Sequence, residues 1–85
     1  MRAYLYILKC SDQAYYVGIA NDVIQRISEH QRGKNKFTKS RLPVKLIYKE
    51  EHTNKSAAMK REKQIKSWKD RKAIENLIGD GGAIV

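Results

Sequence analysis

Two short apolar segments near the start of the chain constrain its fold more than any other feature. Residues 3–9 (AYLYILK) and 15–19 (YYVGI) are rich in aromatic and branched side chains, and a short polar turn with the sequence SDQA separates them. Such segments are typical of β-strands. A connection this short joins antiparallel neighbours, because a parallel pair needs a crossover of about a dozen or more residues. The sequence therefore predicts a β-hairpin.

A helix is predicted directly after the hairpin. Asn21 or Asp22 can cap it, and Asp22 with Gln25 three residues later resembles a capping box. The helix should run to about Arg32, where Gly33 can end it. Its apolar arc is expected to face the core and consists of Val23, Ile24 and Ile27.

The rest of the chain supplies three further elements after a basic loop with one expected helical turn. Residues 44–49 (VKLIYK) alternate well enough for a third strand. Asn54 or Ser56 can cap a second helix, and Asp70 can begin a third. The element order ββαβαα describes a small α/β (α+β) fold.

Length and composition favour one intracellular domain. A chain of 85 residues is of ordinary size for a single domain, which we expect over residues 1–78, followed by a flexible glycine-rich tail over 79–85. The one cysteine, Cys10, excludes an internal disulfide. No segment resembles a signal peptide or a transmembrane helix, so we expect a cytoplasmic protein with no membrane contact and infer no obligate protein partner.

The charge is strongly basic and clustered. The net charge is +9, with seven basic and no acidic residues over 31–49 and eight basic and two acidic residues over 55–72. Such a field attracts polyanions, of which nucleic acid is the commonest. Two simpler interpretations remain open, a lysine-rich surface that only aids solubility and a scaffold that binds an acidic protein.

Alternation along the hairpin strands brings three notable residues to one face. If Leu5 and Ile7 pack on one side of the sheet, Tyr6, Tyr16 and Gly18 meet on the other. The missing side chain of Gly18 leaves a gap in which backbone or ligand can come close. Ordinary packing is the alternative for the tyrosines, since tyrosine is a common strand residue.

Two helices add polar side chains beside their apolar faces. Arg26 and His30 are four residues apart, hence on neighbouring turns, and at the edge of the first helix they could face a cleft. Glu62 lies at the edge of the apolar face of the second helix, where a carboxylate could hold Mg²⁺ beside a phosphate. The alternatives are solvent-facing Arg26 and His30, and an ion pair between Glu62 and Lys66.

The order of these motifs resembles the GIY-YIG nuclease superfamily and, within it, a small stand-alone UPF0213-like branch. The resemblance extends from residue 3 to about residue 78. It rests on the segments YLYILKCSDQAYYVGIANDVIQRISEHQRG, KFTKSRLPVKLIYKEE and SAAMKREKQIKSWKDRK. The first motif here reads Tyr4-Leu5-Tyr6 and lacks its usual glycine, but it keeps the chemically important tyrosine.

The resemblance implies roles for individual side chains. Tyr6 matches a tyrosine proposed to act as a base or to position water, and Tyr16 and Gly18 match the second motif. Arg26 matches an arginine that stabilises phosphate charge, and His30 matches a further polar group of the active site.

The resemblance also implies a metal ion and a fold. Glu62 matches the metal-binding glutamate, so a divalent ion, Mg²⁺ or Mn²⁺, is expected. The implied fold is a three-stranded antiparallel sheet flanked by helices. Nucleic acid, expected to be DNA, should be contacted through charge, with Phe37 stacking on a base. The predicted contacts are Gly18, Lys34, Lys36, Phe37, Thr38, Lys39 and Arg41.

These inferences predict metal-dependent phosphodiester hydrolysis of DNA or another nucleic acid. The resemblance covers a catalytic domain only, so little sequence specificity is expected. The alternative is a catalytically silent nucleic-acid-binding module of the same fold.

Overall fold

The computed structural model describes residues 2–68 and 70–79. These residues contain three strands and three α-helices, which are β1 (Ala3–Lys9), β2 (Tyr15–Ala20), α1 (Val23–Gln31), β3 (Lys45–His52), α2 (Lys55–Lys66) and α3 (Arg71–Leu77). The strands form one antiparallel sheet in the order β2-β1-β3. The predicted α+β fold, with its ββαβαα order and its helix-flanked antiparallel sheet, is confirmed. The tail expected over 79–85 falls, apart from Gly79, outside the described residues.

The central strand β1 is covered on both faces. Leu5, Tyr6, Ile7 and Leu8 are all fully buried, which explains why this strand is a nearly continuous apolar run. One core cluster contains Tyr6 and Leu8 with Val23 of α1, and the other contains Leu5 and Ile7 with residues of α2 and α3. The sheet therefore separates the two core clusters, and Tyr6 lies on the α1 side.

Side-chain caps begin each of the helices as the sequence predicts. Asp22 accepts a hydrogen bond from the backbone N–H of Gln25 at 3.1 Å, Asn54 caps α2 and Asp70 caps α3. The predicted apolar arc of α1 is wrong at Ile24, which is 84% exposed. None of the described helices is long and apolar enough to cross a membrane.

An ion pair holds α2 against β3. Arg61 lies among the apolar positions of α2, where its Nε and Nη2 donate to Glu50 on β3 at distances of 3.0 to 3.2 Å. The Glu50 carboxylate also accepts a hydrogen bond from Tyr48 and contacts Nε2 of His52 at 2.9 Å. Burial alone would raise the pKa of Glu50, but the hydrogen bonds from Arg61, Tyr48 and His52 outweigh it and hold that pKa below its usual range. Because the carboxylate is the stabilised form, its contribution is present at neutral pH and is lost in acid.

Tyr6 and Gly18 are directly opposite each other in the β1–β2 register. A Cβ at position 18 would lie 2.6 Å from the phenol oxygen of Tyr6 and 3.0 Å from Cε2 of Tyr16. The Tyr6 ring therefore lies across the backbone of Gly18. The gap predicted at this glycine exists, and the Tyr6 side chain fills it.

Glu50→Gln should destabilise the protein at neutral pH by about 1.5–3 kcal/mol, the usual cost of losing hydrogen bonds to a charged group. The difference in the free energy of unfolding between the variant and the parent should shrink as the pH falls through the range in which Glu50 becomes protonated. Urea unfolding at several pH values measures both effects. Glu51→Gln is the matched control, because Glu51 pairs with Arg2 at the surface and exposed pairs contribute little. Equal losses of stability in the two variants would contradict the proposed role of Glu50.

Gly18→Ala should destabilise the fold by about 1–3 kcal/mol, since the added methyl group must displace the buried Tyr6 ring. Gly79→Ala is the control, because a Cβ there would have no neighbour within 4 Å. Thermal unfolding of the two variants measures the difference. A Gly18→Ala protein as stable as the control would show that the Tyr6 ring can move at little cost.

Candidate active site

Tyr6 is the centre of a group of polar and aromatic side chains. Its oxygen lies 3.0 Å from Nε2 of His30 in a buried hydrogen bond that joins β1 to α1. The Tyr16 ring lies 6.3 Å from the Tyr6 ring and 5.0 Å from the His30 ring, measured between centroids. The structure thus brings together three of the side chains that the sequence analysis selects.

His30 is more deeply buried than its place on α1 suggested. It is 2% exposed, whereas a position at the edge of a cleft was expected. Its Nδ1 lies 2.8 Å from Oγ1 of Thr38, so both ring nitrogens have partners. Burial lowers the pKa of His30 and the nearby charge of Arg26 lowers it further, while Glu29 acts in the opposite direction. The imidazole is therefore neutral at pH 7.

The basic loop between α1 and β3 folds back over this group. Thr38, expected from the sequence to contact nucleic acid, is fully buried against His30. Asn35 fixes the loop, since its Oδ1 accepts from the backbone N–H groups of Phe37 and Thr38 and its Nδ2 donates to the Tyr16 hydroxyl at 3.1 Å. Sequence reasoning missed Asn35. An asparagine that bonds the backbone two residues later is a common turn former, and that tendency could have identified it.

Arg41 holds the same loop against the hairpin turn. Its Nε donates to Oδ2 of Asp12 at 2.9 Å, and its Nη1 donates to the backbone oxygen of Phe37 at 2.7 Å. The guanidinium lies over the Phe37 ring, 4.2 Å from the centroid, and the Tyr16 ring is a further neighbour of Phe37. Arg41 and Phe37, both predicted to contact nucleic acid, therefore also contact each other. In contrast, the side chains of Lys34, Lys36 and Lys39 are exposed.

Arg26 lies at the junction of two open cavities. A groove of about 470 Å³ runs along the start of α1 and includes Arg26, Glu29 and Lys55. A smaller cavity of about 100 Å³ includes Arg26, Glu29, His30 and Lys34. The Nε of Arg26 lies 3.3 Å from Oε1 of Glu29, three residues further along the helix. A ligand in either cavity would therefore meet the Arg26 guanidinium.

The environment of Tyr6 combines burial with charges of both signs. Burial raises the pKa of the Tyr6 phenol, and Tyr16 raises it further. Arg26 opposes this change through its nearby positive charge, whereas the negative charge of Glu62 adds to the increase. The net pKa lies far above the usual range, so the resting side chain is a neutral phenol. Arg26 and Glu62 are thus both close enough to act on Tyr6 electrostatically.

Glu62 lies on α2, and its negative charge acts on Tyr6. Its Oε2 lies 3.1 Å from Nζ of Lys66, four residues later, so the ion pair left open by the sequence is present. The Glu62 side chain is 21% exposed and that of Lys66 is 54% exposed. The carboxylate therefore keeps some access to solvent while its charge still reaches Tyr6.

Comparison with known proteins agrees with the fold and the motif order. A family model described as the GIY-YIG catalytic domain matches residues 2–75. The UPF0213 protein SSP2268 of Staphylococcus saprophyticus is 44% identical over 79 residues, which cover 92% of this chain and 95% of that protein. A UPF0213 protein of Streptococcus sanguinis is 48% identical over 66 residues, or 76% of each chain.

A solved structure is also similar. The solution NMR structure of the UPF0213 protein BH0048 from Bacillus halodurans has a TM-score of 0.64 and 36% sequence identity to this chain. The match covers 96% of this chain and 87% of that one. The family model, the sequence relatives and this structure agree with one another, and we conclude that the chain belongs to the GIY-YIG domain family and is a relative of the UPF0213 proteins.

Proposed function

We propose that this protein is a divalent-metal-dependent nuclease that hydrolyses phosphodiester bonds in DNA or another nucleic acid with little sequence specificity. The observation that carries this proposal is the buried hydrogen bond between the Tyr6 hydroxyl and Nε2 of His30, with the charge of Arg26 acting on both side chains. Such a pair can take up a proton beside a cation that can bind phosphate.

Tyr6 and His30 supply the base. A neutral imidazole next to a phenol can accept the phenol proton, so Tyr6 can take a proton from water as its own proton moves to Nε2. A phenol with a raised pKa is a poor base if it must first ionise alone. Transfer to His30 avoids a free phenolate, which explains why the two groups are useful as a pair. Tyr16 packs against both rings and keeps them in place.

Arg26 supplies positive charge for the reacting phosphate. Its present partner, Glu29, forms a partly exposed i,i+3 pair, and pairs of this kind contribute only about 0.2–0.5 kcal/mol. A phosphate oxygen can therefore replace Glu29 at little cost. Fixed positive charge beside a phosphorus centre stabilises the transition state, in which negative charge grows on the oxygens.

Glu62 is the residue that would hold the metal ion. Within residues 2–68 and 70–79, no group of three or more His, Cys, Asp or Glu could enclose an ion. A full protein cage is not needed for Mg²⁺, which usually binds through one or two carboxylates with water and substrate phosphates as the other ligands. One partly buried carboxylate whose charge acts on Tyr6 fits that mode. When bound, the ion would polarise the phosphate and stabilise the leaving oxygen.

The exposed lysines of the basic loop would hold the nucleic-acid backbone. Lys34 lies in the wall of the cavity that also contains Arg26 and His30, and Lys36 and Lys39 are exposed on the same loop. Contacts through charge alone do not read the base sequence, which supports low specificity. The second candidate function, a silent nucleic-acid-binding module, is favoured by one observation, the pairing of Glu62 with Lys66.

Glu62→Gln should abolish metal-dependent cleavage and leave the fold intact, because it keeps the shape of the side chain and removes its charge. Cleavage of single-stranded, duplex and branched DNA with and without Mg²⁺ measures the effect. Lys66→Met is the matched control, since it also breaks the ion pair but keeps the carboxylate. If Glu62 acts only through that pair, the two variants should behave alike, with a stability loss of about 0.2–0.5 kcal/mol. No cleavage by the parent protein under any of these conditions would favour the binding module.

Replacement of Lys36 and Lys39 by Ala should weaken binding to duplex DNA and make it less sensitive to salt. The slope of log affinity against log salt should become shallower by about 0.9 for each phosphate that the variant no longer neutralises. Fluorescence anisotropy at several salt concentrations measures this slope. Lys60→Ala with Lys63→Ala is the comparison, because these two lysines are also exposed but lie on α2 and not on the basic loop. A larger decrease in affinity for the control pair would place the binding surface on α2.

A further inference from the structure

Thr38, His30 and Tyr6 form a continuous buried chain of hydrogen bonds. Oγ1 of Thr38 lies 2.8 Å from Nδ1 of His30, and Nε2 of the same ring lies 3.0 Å from the Tyr6 oxygen. The three residues are between 0% and 2% exposed, so these contacts are largely shielded from bulk solvent. A neutral imidazole carries hydrogen on one of its two ring nitrogens. One ring nitrogen therefore donates to its hydroxyl partner, and the other accepts from its own.

The chemistry of the two hydroxyl groups decides which ring nitrogen carries that hydrogen. A phenol is far more acidic than an aliphatic alcohol, so it is the stronger donor and the weaker acceptor. The positive charge of Arg26 near the Tyr6 phenol stabilises electron density on the phenol oxygen, and a guanidinium offers the hydroxyl no acceptor. Among the described residues, Nε2 of His30 is the hydrogen-bond acceptor that the Tyr6 hydroxyl reaches. The Tyr6 O–H should therefore donate to Nε2, and the Nδ1–H should donate to Thr38.

The loop that carries Thr38 is itself held at several points. Oδ1 of Asn35 accepts from the backbone N–H of Thr38 at 3.1 Å, and the backbone N–H of Arg41 donates to the backbone oxygen of Thr38 at 2.8 Å. Arg41 in turn pairs with Asp12 on the hairpin turn. The position of the Thr38 hydroxyl thus depends on contacts at both ends of a short turn.

We propose that Thr38 is a positioning residue, which accepts the Nδ1 hydrogen of His30 and so keeps Nε2 as the free acceptor for the proton of Tyr6. This inference rests on the proposed nuclease function for its consequence, although the hydrogen position itself does not. During attack, a water O–H bond breaks and its proton joins the Tyr6 oxygen, while the original Tyr6 proton moves to Nε2. The water oxygen bonds to phosphorus, and the bond from phosphorus to the leaving oxygen breaks. His30 then carries both hydrogens, with Nδ1–H still donated to Thr38, and later returns one proton to solvent or to the leaving oxygen.

The parent protein provides the first test. Nitrogen-15 NMR of the labelled imidazoles distinguishes the two neutral forms of His30, and we expect hydrogen on Nδ1 at neutral pH. His52, which contacts Glu50 on β3, is assigned separately through His52→Gln. A His30 ring with hydrogen on Nε2, or an even mixture of both forms, would overturn the proposal whether or not the protein cleaves nucleic acid.

Two variants provide the second test. Thr38→Val keeps the shape but removes the acceptor of the Nδ1 hydrogen, so the fraction of His30 with hydrogen on Nε2 should rise. The cleavage rate should fall by about tenfold or more, since acid–base catalysis contributes about 10²–10⁴-fold in total. Thr38→Ser keeps the hydroxyl and should preserve the parent's imidazole spectrum and rate. An unchanged His30 spectrum in a folded Thr38→Val protein would refute the positioning role. If the parent protein is inactive but its imidazole carries hydrogen on Nδ1, the proposed function fails and the assignment of the hydrogen stands.

Discussion

The burial of β1 on both faces is the constraint on which the rest of the structure depends. Any polar atom on this strand must find its partner inside the protein, because an unpaired buried hydroxyl is costly. Tyr6 is the residue where this requirement applies, and its oxygen is matched by a histidine 24 positions later. His30 then requires a partner for its other nitrogen, which the loop supplies as Thr38. The need to satisfy one strand residue thus joins the sheet, α1 and the basic loop into one unit.

The charged groups around this unit are held in a different way. Arg26 pairs with Glu29, and Glu62 pairs with Lys66, each within its own helix and each partly exposed to solvent. Such pairs are weak, so a polyanion or a cation can replace either partner without unfolding the helix. The neutral part of the candidate site is therefore rigid and buried, whereas its charged part can exchange partners. This combination suits a site that must accept a highly charged substrate and still keep its proton donors and acceptors aligned.

Local patterns predicted much of this architecture. Alternation identified the strands and placed Tyr6 with Tyr16 and Gly18, and capping residues located the helix starts, because both depend on neighbours within a few positions. The partners of Arg61, His30 and Arg41 were not predicted, since Glu50, Thr38 and Asp12 lie on other elements of the fold. Helical periodicity also misjudged Ile24 and the depth of His30. It gives the angle of a side chain around the helix axis, whereas burial depends on what packs above each turn.

The two faces of the sheet differ in what they contribute. Arg61 and Glu50 lie on the face covered by α2 and α3, together with Leu5 and Ile7, while the hydrogen-bond chain lies on the face covered by α1. Substitutions within the α2–α3 layer can change thermal stability without altering the polar group around Tyr6, as long as Glu62 keeps its place. A small domain organised in this way can adapt to a new growth temperature and to a new substrate through separate sets of mutations. The one sheet formed by residues 2–68 and 70–79 thus carries the two tasks on opposite faces.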